Sequence, residues 1–314
     1  MIAAGYADIP VIAIGTSGKT LNPQPGFKLN WKKLLPITLA GILFGDAMAS
    51  MFYSTIIRET IKGSTKQLMD EYYRMAYKLI EKADVKGIYT LLQAAVHDFN
   101  QIAIDYTARP KIGIVGEIYI KYNSFGNNNV VNWLIEQGIE VKVPPLMDFF
   151  IQDFVNIKTN KKMHLRQSSI SDYLLWFLEK YALRYIHKTD LIMQSYHFHE
   201  PQHSIINMSQ KAGQIISLAN QFGEGWLIPA EMAAFAEDGV NQVVSLQPFG
   251  CIANHIVSKG IEKKVKELYP ELSLLFLDFD SDISEVNIIN RLQFIIMAAK
   301  ENLIKKQQKE LLFS

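Results

Sequence analysis

The only cysteine in the 314-residue chain, Cys251, has a chemically suggestive setting. It follows the strand-like run NQVVSL and the loop QPFGC, and a helix begins near Ile252. Parallel α/β sheets gather ligands at their strand carboxyl ends. Helix N-terminal N–H groups favour a thiolate and lower its pKa. A thiol so placed could attack an electrophile or bind iron, and an inert buried cysteine fits the position equally well. Pro248, Phe249 and Gly250 would hold the turn before it, the glycine allowing close backbone approach. His255, four residues on, would share a helix face with Cys251, which permits a Cys–His metal pair or a thiolate–imidazolium pair. A histidine hydrogen-bonded to the loop is favoured, because no Asp or Cys at a standard spacing completes a zinc site.

Other residues offer weaker chemistry. Asp278, Asp280, Ser281, Asp282, Ser284 and Glu285 gather after the next strand, without the spacing or glycine of a calcium loop, so capping and solvation are favoured. Asn287, Asn290 and Arg291 fall on the first turns of the following helix, where Asn287 and Asn290, at i and i+3, can face one cleft. Gly113, Gly116 and Glu117 end another strand, but GIVGE lacks the three-glycine dinucleotide spacing. Glu117 reads equally as a polar contact in a cleft or as a helix-start residue. GTSGKT at 15–20 is one residue short of a Walker A loop, so no nucleotide motif is present. His197, His199 and His203 surround Glu200 in a pattern that could bind a divalent metal, but no second-shell pattern supports it.

Positioning these residues takes an α/β framework. Residues 8–16 read as a buried strand followed by the loop SGKTLNPQPGF, and 32–62, 66–83 and 85–104 as helices. Residues 111–116, 129–137 and 139–143 form a strand–helix–strand unit, with GEIYIKYNSFG as a loop or short-element region, and 146–187 is mostly helical. A helix over 208–221 and a short one over Pro229–Glu237 lead to strands at 241–246 and 273–279, each followed by helix, the last running from Glu285 through a solvated tail. The predicted fold class is therefore α/β: two Rossmann-like parallel-sheet units with a substantial helical N-terminal part. The expected segments are 1–110, mainly helical with an initial strand; 111–187, the first α/β unit with a helical extension; and 188–314, the second unit carrying the PFGC loop.

Composition narrows the class. Hydrophobic residues make up 49% and charged residues 20%, enough apolar material for a substantial core. The net charge of +1 gives no support to a nucleic-acid partner. One cysteine excludes an internal disulfide and a four-thiolate metal site supplied by one copy. The stretch Leu34–Tyr53 is 20 residues with a single charge, long enough to cross a bilayer. Asp46 would be costly in lipid and amphipathic helix follows, so a buried helix of a soluble, cytoplasmic protein without a membrane partner is expected.

The segments QPFGCIANHIVSKGIEKKVKELYP and LDFDSDISEVNIINRLQFIIMAAK resemble the C-terminal part of 2-hydroxyacyl-CoA dehydratase-related proteins, more narrowly the large type fused to an ATP-dependent activase-like domain. KIGIVGEIYIKYNSFGNNNVVNWLIEQGIEV and GEGWLIPAEMAAFAEDGV are similar to the same family, so the resemblance covers most of the chain from about residue 110. It implies an oxygen-sensitive iron–sulfur redox component, with a [4Fe-4S] cluster to which Cys251 would contribute a ligand. It also implies an acyl-CoA ligand. Glu117 matches the acid of the family's GE element, and Ser284, Glu285, Asn287, Asn290 and Arg291 match its SE-x-N-x-x-N-R element. Family dehydratases hold the cluster with several cysteines, and the activase segment is absent from these 314 residues. The expectation is thus a fragment or degenerate homologue needing an upstream ATPase segment or a partner subunit. The alternative is a noncatalytic ligand-binding or protein-interaction module on the same scaffold. Whether the chain is an enzyme is left open by its residues, and a cysteine-nucleophile enzyme is weaker because no oriented base is evident.

Overall fold

The computed structural model describes residues 30–169, 171–280, 282 and 284–313. The strand expected at 8–16, the loop after it, GTSGKT and Ser281 lie outside the described residues.

Four parallel strands form the sheet: β1 (Lys111–Gly116), β2 (Glu140–Lys142), β3 (Gln242–Pro248) and β4 (Ser273–Phe279), in the order β2-β1-β3-β4. The two strand–helix–strand units expected from the sequence each supply two strands to this one sheet, because β1 pairs with β3 from Gly113↔Val243 to Gly116↔Leu246. The physical reason is burial. Two short parallel strands cannot cover an apolar surface on both faces, and joining the pairs places β1 and β3 at the centre.

The alternation along the central strands sorts their side chains between two cores. Ile112, Ile114, Val244 and Leu246 face Leu134 of α5 (Val130–Glu136) and Leu292 and Ile295 of α12 (Glu285–Phe313). Val115 and Val243 face Ile228 and Met232 of α9 (Leu227–Glu237), Val257 of α10 (Ile252–Val257) and Val265 of α11 (Glu262–Leu268). Two glycines permit close approach. A Cβ on Gly113 would lie 2.5 Å from the Phe235 ring, which lets α9 sit directly on β1. Gly116 has φ +129°, and a Cβ there would stand 1.9 Å from the Leu246 carbonyl oxygen.

The helical part wraps one long apolar helix, α1 (Trp31–Thr55). Its Ala40, Phe44, Met48 and Met51 pack with α2 (Ser64–Glu81), α3 (Val85–Asn100) and the end of α7 (Ser171–Met193). Leu43, on another side of α1, packs with α6 (Leu146–Lys162), α8 (Ile205–Ile215) and Trp226. Among the described residues α1 is the one helix long and apolar enough to cross a membrane, and here it packs among the other helices.

The short element expected within GEIYIKYNSFG is a five-residue helix, α4 (Ile118–Tyr122), capped by Glu117. Other boundaries differ from expectation. The stretch 146–187 divides into α6 and α7, with His164 at φ +57°. Lys161 and Arg166 both bind Asp172 across that break, at 2.6 and 3.1 Å. The helix expected at 208–221 occupies Ile205–Ile215, because the Ser204 side chain caps it by accepting from Asn207 N.

Candidate functional site

A cavity of about 500 Å3 opens beside the carboxyl end of β2, between α1, α4, α6 and α9. Its distinguishing groups are three acids, each alone in an otherwise apolar stretch of sequence: Asp46 in ILFGDAMA, Asp148 in PPLMDFF and Glu231 in LIPAEMAAF.

The chain places each for a local reason. Asp46, on α1, accepts from the first backbone N–H groups of α6, Leu146 N at 2.8 Å and Met147 N at 3.0 Å. It serves as the N-terminal cap of a helix 100 residues away in sequence, since Pro145 at the N-cap has no side-chain acceptor. Asp148 sits in the first turn of α6 and is 9% exposed. No described residue donates a hydrogen bond to its carboxyl. Glu231 is 2% exposed, in the middle of α9, whose residues Leu227–Ala234 are all buried. One of its oxygens binds Lys121 Nζ at 2.8 Å, and the other, Oε2, has no partner. Lys121 reaches Glu231 because α4 turns directly off β1, and the adjacent Tyr122 donates to the Pro144 carbonyl at 2.7 Å. Tyr122 is 38% exposed and is part of the cavity wall.

Burial without enough compensating charge shifts these acids. Desolvation pushes Asp148 up to about 8, with Glu231 and Asp46 adding to the rise and Lys121 opposing it. Burial lifts Glu231 to about 7 against the pull of Lys121. Burial takes Asp46 to about 6 in spite of its two backbone hydrogen bonds. Glu140, on β2, is the contrast. Burial pushes it up too, but Lys142, Lys111 and Arg58 outweigh burial and hold its carboxyl below the ordinary value. Arg58 contacts it at 2.6 Å and Lys142 at 2.8 Å. The decisive variable is therefore the number of cations within reach. At neutral pH the cavity offers carboxyl groups poised between acid and base, the condition for accepting, donating or exchanging a proton with a bound molecule.

The residues singled out from sequence sit elsewhere along the same edge of the sheet. Cys251 is half-buried at the N-cap of α10 and makes no side-chain cap bond. His255 is tied to the loop instead of to the thiol. Its Nε2 contacts the Phe249 carbonyl at 2.8 Å, and its Nδ1 lies 3.4 Å from Gln247 Nε2. Glu117 caps α4 by accepting from Ile120 N at 2.9 Å. Beside it Glu224 accepts from Ile118 N at 2.7 Å. Buried Asn254, with its amide turned to satisfy its neighbours, donates to Glu224 at 3.1 Å and accepts from Glu117 N at 3.2 Å. These polar contacts lie at the crossover point between β1 and β3, where open α/β sheets receive ligands.

Ser284, Glu285, Asn287, Asn290 and Arg291 are exposed on the opening of α12. Ser284 caps through its backbone carbonyl, and Arg291 folds back onto the Phe276 carbonyl at 2.7 Å. Asp278 is neutralised by Lys259 at 2.6 Å. The histidine pattern also disperses. His199 pairs with Asp190 at 3.3 Å, His203 with Asp238 at 2.9 Å, and Glu200 with Lys111 and Lys142 at 2.6 and 2.9 Å. None of the eight positions from Cys251 to Arg291 and Glu117 proposed from sequence lines the cavity; of the histidine group, Glu200 and His203 do.

The donor set does not fit a self-contained metal centre. Among the described residues no three of His, Cys, Asp or Glu converge on a common point, and the chain has one thiol where a cluster takes several. Sequence reasoning missed Asp148, Glu231, Lys121 and the tyrosines. The signal that could have found the acids is a lone charge inside an apolar run, as at Asp46, Asp148 and Glu231. No protein-family model, curated protein or solved structure matches the chain.

Proposed function

We propose that the chain binds a small organic molecule in the cavity between α1, α4, α6 and α9, on a scaffold of the 2-hydroxyacyl-CoA dehydratase-related type. The observation that carries this reading is the combination at one place of a largely apolar cavity, the Asp148 carboxyl without a donor, and a Glu231 oxygen that Lys121 does not reach. Buried polar groups without partners are costly and rare in a core built for stability alone. The two Rossmann-like units of the sequence are, in this reading, the two halves of the single sheet. The protein is cytoplasmic, and α1 is a core helix. An acyl-CoA could place only its uncharged acyl end here, since the phosphates would meet an acidic lining. The test is calorimetric titration of a small-molecule panel against the protein and against Gly45→Leu. Gly45 lines the cavity, and a Cβ there meets nothing within 4 Å, so a leucine fills the space without a backbone clash. Binding lost in Gly45→Leu supports the reading, and binding indifferent to it overturns the reading.

A second reading is favoured by the position of Cys251 after β3. There the chain is an iron–sulfur redox component that supplies one thiolate to a [4Fe-4S] cluster completed by a partner subunit or an ATPase segment. Anaerobic reconstitution with iron and sulfide together with such a partner, followed by metal counting, separates the two. A stoichiometric cluster lost in Cys251→Ser supports the redox role, and the absence of any cluster removes it.

A further inference from the structure

Resting on the cavity as the ligand site, we propose that its ligand is an organic amine, bound as the ammonium, with Asp148 as its counter-ion and the aromatic wall holding its apolar body. The charge arrangement points this way. The cations near the cavity are already engaged. Lys121 is bound to Glu231 at 2.8 Å. Lys142 is held by Glu140 and Glu200 at 2.8 and 2.9 Å, and His203 lies between Asp238 and Lys211 at 2.9 and 3.2 Å. An anionic ligand therefore finds no free positive group among the described lining residues. The acceptors are in the opposite condition. Asp148 is 9% exposed with no donor, and Oε2 of Glu231 is buried with none. An ammonium brings three N–H donors and one positive charge, which is what the Asp148 carboxyl lacks.

A metal ion would bring charge as well, but it needs its ligands gathered around one point, and these carboxyls are not so gathered. They are spread along the walls of a volume large enough for a molecule of several rings or a branched chain. Tyr53, Tyr73, Tyr122, Phe198 and Phe235 contribute rings to those walls. Ring faces attract an organic cation and bury its hydrocarbon, so both parts of an aralkylamine are accommodated.

The experiment compares three probes of one shape by calorimetry: phenethylamine, 2-phenylethanol and 3-phenylpropanoate. The amine is expected to bind at least about tenfold more tightly than the alcohol, and the carboxylate most weakly of the three. In Asp148→Asn the amine loses that advantage while the alcohol is bound as before, which also shows that the variant is folded. Glu231→Gln, which keeps a carbonyl for Lys121, provides a second arm with a smaller loss. An alcohol bound as tightly as the amine, or a preference that survives in both variants, overturns the amine assignment. The cavity reading still stands in that case if Gly45→Leu abolishes binding. If no probe binds, or if Gly45→Leu changes nothing, both fail.

Discussion

The carboxyl edge of the sheet has two sides of opposite character. On the β3–β4 side, Cys251 is half-buried, His255 meets the Phe249 carbonyl, Asp278 meets Lys259, and Arg291 meets the Phe276 carbonyl of β4. On the β1–β2 side, α1 and α6 close over the strand ends, and the enclosed acids outnumber the cations that reach them. The residue types on the β3–β4 side look more reactive on paper. The difference teaches that reactive residue types do not by themselves make a site: an aspartate held in a cavity wall without a hydrogen-bond donor or a contacting cation is shifted far from its ordinary value by burial.

That contrast can be broken most forcefully at the Lys121–Glu231 pair. Glu231→Ala leaves a buried ammonium, Lys121 at 4% exposure, without its partner. We expect a loss of about 3–5 kcal/mol in urea unfolding. Lys121→Met should cost clearly less, because Glu231 can take up a proton. Equal costs for the two variants would contradict this account of the pair.

The pH dependence of stability gives the next effect. Asp148, Glu231 and Asp46 are raised to about 8, 7 and 6 in the folded chain. In the unfolded chain such acids titrate near about 4. Between those limits the native state binds more protons, so unfolding free energy falls as pH rises. Their contribution is full below about pH 4 and is lost as pH climbs through the folded values. A decline between about pH 5 and 8.5 is expected, and Asp148→Asn should flatten it. On the other side of the sheet the sign reverses. Burial opposes the charge of Asp278, but Lys259 and Gln247 hold it low, so its contribution is lost only as pH falls. A stability profile that is flat in the wild type and unchanged in Asp148→Asn would count against a desolvated Asp148.

A smaller effect falls on the join between α1 and α6. Asp46→Ala removes the acceptor of two helix N–H groups. It should cost about 1 kcal/mol in denaturant unfolding, with Asp46→Asn recovering part of it. The smallest is Cys251→Ser, expected to stay within about 0.5 kcal/mol of wild type, because the thiol makes no cap bond and is only half-buried. A large loss there would mean that the quieter side of the edge carries more than its contacts show.

The strands were readable because alternation and composition are local: 111–116 and 273–279 match the observed limits, and β2 and β3 differ by one or two residues. Gly116 and the cap role open to Glu117 were readable for the same reason. The pairing of β1 with β3 was not, since parallel partners lie more than 100 residues apart and nothing in either strand encodes the other. The site suffered similarly. Short-range spacing drew attention to Cys251–His255 and to the histidines, whereas Asp46, Lys121, Asp148 and Glu231 come from four separate elements.

By itself, the sequence determined the local matters: an α/β chain, four strand-like runs in the described part, amphipathic helices around them, and too few cysteines for a four-thiolate site supplied by one copy. Only the tertiary structure decided that those strands make one sheet, that the acid in α1 caps α6, and that a lysine from α4 meets one buried carboxyl and leaves another unmatched. The physical reason is range. Periodicity and capping act within a few residues, while desolvation and charge pairing depend on which distant segments the fold brings together.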